Sequence, residues 1–113
     1  MQEIARHDPR AVAVIDRGRE VTYGELHAAA GRMAAWLARR GLGPGDMVGV
    51  TIRQELPHLV VSLGLMRLGC DQIGLASQDP VAMRADLAAR VRAAAVIGDG
   101  PGDALEGVSL VIP

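Results

Sequence analysis

Apolar positions along the chain fall into short blocks with two different periods. Residues 11–15 form a short apolar strand, Asp16-Arg17-Gly18-Arg19 is a polar turn, and residues 20–22 return as a second strand, so residues 11–22 predict a β-hairpin. From there the period lengthens: Leu26, Ala30, Met33 and Leu37 recur at helical spacing, with Trp36 on the flank of the stripe. Thr22 and Glu25 make a T-x-x-E capping box, and Val21 and Leu26 stand where a hydrophobic staple belongs. Arg39 and Arg40 complement the helix dipole in the last turn, and Gly41 ends the helix as a left-handed cap.

The second half repeats strand and helix. Residues 47–52 predict a strand, and residues 56–68 a helix apolar on nearly every side, interrupted by His58, Ser62 and Arg67 and stopped by Gly69. A helix of that kind is expected to be covered by protein on more than one face. Residues 73–76 are the next strand. Asp79-Pro80 opens another helix, with the aspartate as cap, the proline in the first turn, and Met83, Leu87 and Val91 as the buried stripe. Asp86 and Arg90 are spaced for an exposed ion pair. Residues 94–97 are a strand, 98–107 a loop and 108–112 a last strand.

This order predicts an α/β fold: a short hairpin, then a βαβαβ parallel-sheet unit with right-handed crossovers and helices on its faces. Residues 1–113 form one unit, with a lead-in over 1–10, the hairpin over 11–22, and the helix plus βαβαβ unit over 23–113. The final connection is short for a parallel crossover, so the last strand is expected to pair differently or to belong to a larger sheet. There is no internal repeat, linker or low-complexity tract.

Composition narrows the picture. A chain of 113 residues holds one domain at most, and half of it is apolar. With no Phe, one Trp and one Tyr, core volume comes from Leu, Val, Ile, Met and Ala, and helices must approach closely. A net charge of −1 supplies no field for nucleic acid or an anionic membrane. Arginine carries all the positive charge of the side chains apart from histidine; there is no lysine, hence no catalytic lysine. The single Cys70 excludes an internal disulfide and fits a reducing compartment. The N-terminus lacks the apolar stretch of a signal peptide, and the apolar run 56–68 is too short to span a bilayer. The expectation is a cytoplasmic protein without nucleic-acid or membrane partners.

Candidate chemistry is sparse. Gly41-Leu42-Gly43-Pro44-Gly45-Asp46 resembles a phosphate loop in composition only: such a loop follows a strand and opens a helix, and here the order is reversed. A tight turn between helix and strand is the better reading. His7, His27 and His58 share no metal-ligand spacing with one another or with Cys70, which reads as a small buried hydrophobe. None of Ser62, Ser77 and Ser109 lies in G-x-S-x-G. Gln54 and Glu55 after one strand, and Ser77, Gln78 and Asp79 after the next, are the polar groups placed where ligands bind parallel sheets; turn and cap duties explain them equally well. No catalytic, cofactor-binding or metal-ligating residue is assigned.

Thr22-Tyr23-Gly24-Glu25-Leu26, the helix after it, Gly41-Leu42-Gly43-Pro44-Gly45-Asp46-Met47-Val48, and then Leu63-Gly64-Leu65-Met66-Arg67-Leu68-Gly69-Cys70 occur in an order that resembles the N-terminal region of adenylate-forming enzymes. These are the acyl-CoA synthetases, acid–thiol ligases and peptide-synthetase adenylation domains. The resemblance runs from about residue 8 to 99. It departs at Arg53-Gln54-Glu55, where the family often has an asparagine-containing turn, and at Ile73-Gly74-Leu75-Ala76, where it often has proline. It implies a parent that activates a carboxylate with ATP and passes the acyl group to a thiol, using ATP, Mg and CoA, as in fatty acid metabolism. The family's phosphate loop, nucleotide-binding acids and catalytic lysine come later in its chains, and no residue here matches them. The expected function is therefore an N-terminal, scaffolding portion of an AMP-forming acyl-CoA synthetase or ligase, inactive alone, with no cofactor of its own. Its partner would be the rest of the parent chain, with self-association through exposed apolar surface. The ending V-S-L-V-I-P, an apolar strand without a polar tail, favours truncation. The alternative is a stand-alone, non-catalytic α/β interaction or dimerisation module.

Overall fold

The computed structural model describes residues 8–76, 79–98 and 109–111. The expectations for residues 1–7, for Ser77 and Gln78, for 99–108 and for 112–113 fall outside the described residues. In chain order the elements are β1 (Val12–Asp16), β2 (Arg19–Thr22), α1 (Tyr23–Arg39), β3 (Met47–Thr51), α2 (Glu55–Leu68), β4 (Asp71–Gly74), α3 (Val81–Arg90), β5 (Ala95–Gly98) and β6 (Ser109–Val111). The fold is the α/β arrangement predicted: an antiparallel hairpin β1–β2, and a parallel sheet in the order β4-β3-β5-β6.

Local chemistry accounts for the first third. Arg17 and Gly18 both take positive φ, 54° and 79°, the pairing that a two-residue hairpin turn requires to match strand twist. Thr22 accepts from the Glu25 amide and Glu25 accepts from the Thr22 amide, both at 3.1 Å, which closes the capping box. Val21 and Leu26 are both buried, as the staple requires. Gly24 has a separate duty. The Gly24 amide donates to the Pro9 carbonyl at 2.9 Å, and a Cβ at Gly24 would stand 2.9 Å from that oxygen. The lead-in segment can lie against α1 only because position 24 has no side chain.

The strands of the sheet alternate cleanly. Val48, Val50 and Ile52 join Leu37, Leu42, Val61, Leu65, Cys70, Ala95 and Ile97 in a core beneath α1 and α2. Leu75, Ala88 and Val96 form a smaller core on the other face, under α3. At Gly49 a Cβ would lie 2.9 Å from Leu75 Cδ1 and 3.2 Å from Val96 Cγ2, so the missing side chain is what lets Leu75 cross the sheet. α2 lies between the sheet and α1. At Gly64 a Cβ would meet Met33 at 2.8 Å and the Ala34 backbone nitrogen at 3.2 Å, the close helix approach expected of an alanine-rich core. Two faces of α2 are covered, as its apolar surface predicts; a third flank is open, with Met66 66% exposed.

Four expectations are corrected. The buried side of α1 is Leu26, Ala30, Ala34 and Leu37, with Met33 at the margin. β4 starts two residues early, at Asp71, because the Asp71 amide donates to the Asp46 carbonyl at 2.8 Å and that bond sets the register Met47↔Asp71. The last strand joins the same sheet, parallel to β5, with Val96 opposite Ser109. The helix after Asp79 is capped by Pro80 without a side-chain bond, and it buries Arg84 and Ala88 while Met83 is 57% and Leu87 38% exposed. An alanine-rich helix offers little apolar contrast, and here hydrogen bonding chose the inward face. The Asp86–Arg90 pair forms as predicted, at 3.0 Å, on the wet side.

The capping box gives a measurable stability term. The Thr22 amide and hydroxyl, with Arg19 behind them, hold Glu25 below its ordinary value of 4.5. A depressed carboxyl contributes stability above its unfolded-state value and loses it as pH falls through the folded value. Thr22→Ala is expected to cost about 1 kcal/mol in urea unfolding at pH 7. That difference from the parent chain should narrow below pH 4.5, where Glu25 protonates.

Candidate functional site

The two ends of the parallel sheet have different tasks. At the amino edge, Gly41 (φ +90°) ends α1 and Gly45 (φ +85°) turns the chain into β3. The Gly43 amide donates to Asp46 Oδ2 at 2.9 Å, and the Asp46 amide returns a bond to the Gly43 carbonyl at 3.1 Å. The Gly45 amide donates to the Gly69 carbonyl at 3.0 Å, tying this turn to the end of α2. The glycine cluster is therefore a clasp between two chain reversals, at the edge opposite the one where parallel sheets bind ligands.

Cys70 belongs to the same clasp. Its thiol is buried and donates to the Gly43 carbonyl at 3.2 Å. Burial, with Asp46 and Asp71 adding to it, pushes the thiol above its ordinary value of 9.0. This is the setting of an inert cysteine.

The carboxyl edge is where the sequence places polar groups, and the structure brings some of them together. A cleft of about 470 Å³ is lined by Val50, Ile52, Arg53, His58, Gly74, Leu75 and Ala76. Beside it a second, of about 300 Å³, includes Gln54, Glu55 and Ser62. Gln54 is the N-cap of α2 but makes no side-chain cap bond, and its carbonyl accepts from the His58 amide at 3.1 Å. His58 Nδ1 stands 3.5 Å from Ser62 Oγ, one turn along the same helix. That spacing is ordinary for helix neighbours and too long to activate a nucleophile. His27, on α1, instead takes its partner from α2: the Arg67 guanidinium bonds its ring and, at 3.3 Å, its carbonyl. Among the described residues no group of three or more His, Cys, Asp or Glu side chains could hold a metal ion. No helix there is long and apolar enough to cross a membrane.

Arg84 is the residue that sequence reasoning missed. It is only 5% exposed, donates from Nη1 to Thr51 Oγ1 and from Nε to the Asp79 carbonyl, both at 3.1 Å, and so ties α3 to the ends of β3 and of the segment after β4. The available signal was a lone arginine in the alanine-rich stretch V-A-M-R-A-D-L-A-A, one position from the apolar stripe. Among the described residues, these bonds hold the backbone at the carboxyl edge of the sheet.

Two outcomes follow from this geometry. Cys70 is expected to react with iodoacetamide at pH 8 far more slowly in the folded chain than in urea; equal rates would remove the clasp. Arg84→Ala leaves the Thr51 hydroxyl and the Asp79 carbonyl without these bonds, and should cost about 1–3 kcal/mol. Faster amide exchange at Leu75, whose N–H donates to the Val50 carbonyl, should accompany the loss.

Comparison with known proteins places the chain in a family. A family model described as AMP-binding enzyme matches residues 1–110. Malpinin synthetase of Mortierella alpina is 32% identical over 103 residues, 90% of this chain and 1% of that protein. The N-terminal subdomain of NpsA from Klebsiella oxytoca, solved with 3-hydroxybenzoyl-AMSN, superposes with a TM-score of 0.88 at 26% identity over 97% of this chain and 28% of that one. O-succinylbenzoate coenzyme A synthetase (MenE) from Bacillus subtilis, in complex with AMP, gives 0.88 at 21% identity over 98% of this chain and 30% of that one, a likeness of fold. The chain thus spans less than a third of these structural neighbours, and about 1% of malpinin synthetase. On the family match and the shared fold together, this chain belongs to the AMP-binding family of adenylate-forming enzymes, whose N-terminal region it resembles throughout.

Proposed function

We propose that residues 1–113 act as one scaffolding unit of an adenylation enzyme that joins a carboxylic acid to ATP as an acyl-adenylate and then passes the acyl group to a thiol. The observation that carries this reading is the family match over residues 1–110, together with a fold in which the sheet's carboxyl edge is held by Arg84, Thr51 and Asp79. No catalytic, cofactor-binding or metal-ligating role falls on any residue of the unit. The residues present do not fit an ATP site: the chain has no lysine, and no metal-holding carboxylate cluster occurs among the described residues. ATP and Mg belong to the parts of the enzyme that the family places later. A cytoplasmic location suits these substrates.

The acceptor thiol separates two versions. Similarity to nonribosomal peptide synthetases supports a carrier-bound thiol, while the fold shared with a coenzyme A synthetase is equally compatible with CoA. The better supported version is the peptide-synthetase type, because the likeness there extends to sequence over 85% of the chain.

The test is carboxylate-dependent ATP–pyrophosphate exchange by the full-length gene product, across a panel of amino, aryl and aliphatic acids. Exchange with any of them is expected, and residues 1–113 expressed alone should show none. A folded full-length product silent toward the whole panel would sink the reading. Transfer to CoA rather than to a carrier protein would favour the acyl-CoA synthetase version.

A further inference from the structure

We draw no further inference here: the strongest candidate, the groove of about 280 Å³ between β2, α1 and the first turns of α2, lined by Arg19, Val21, Leu26, Arg32, Leu56 and Val60, carries nothing because nothing in the structure shows what covers it.

Discussion

β3 has no wet side, and the rest of the molecule answers to that constraint. Val48, Val50 and Ile52 face one way and Gly49 and Thr51 the other, all of them buried. The first set requires α2, wedged between the sheet and α1, and the closeness of Gly64 to Met33 and Ala34 is what brings α1 near enough to add Leu37 to the same core. The second set requires cover that is mostly not bulky. Gly49 admits Leu75, Ala88 lets α3 come down on Val96, and the Thr51 hydroxyl is met by an arginine instead of by water. A buried hydroxyl left without such a partner would cost on the order of 1–3 kcal/mol, comparable to a sizeable apolar contact.

The two motifs that single out this chain are both structural, for different reasons. Thr22-Tyr23-Gly24-Glu25-Leu26 starts a helix, and each position but the tyrosine has an identifiable duty: cap, close approach to Pro9, reciprocal cap, buried anchor. The glycine and proline turn from Gly41 to Asp46 closes the amino edge of the sheet and binds the end of α2 through Gly69. Neither reaches the carboxyl edge. A family's sequence signature can thus rest on backbone geometry: a cap and a tight turn hold this end of the sheet through hydrogen bonds and close approach.

The carboxyl edge shows what such a scaffold can offer. Arg53, Gln54 and His58 line shallow clefts there, and Arg84 pins the backbone beneath them. The Leu75 amide, which donates to the Val50 carbonyl, continues the β3–β4 pairing past Gly74.

Sequence alone determined whatever depends on neighbours in the chain. The capping box, the helix-ending glycines at 41 and 69, the Asp86–Arg90 pair and the alternation of strand and helix depend on residues close together in the chain, so they were legible before any fold was known. What only the tertiary structure decided depends on partners far along the chain. The start of β4 follows from an amide bond to Asp46, 25 positions earlier, and no local pattern encodes that register. The inward face of α3 follows from Thr51, 33 positions away: with alanine at most of its positions, hydrophobicity barely distinguished one side from another, and the side that could satisfy a buried hydroxyl was taken. Strand order put Gln54 and Glu55 after β3, where the structure has them, yet Arg84 went unseen, because a buried arginine is recognised by its acceptors and those are assembled only by the fold.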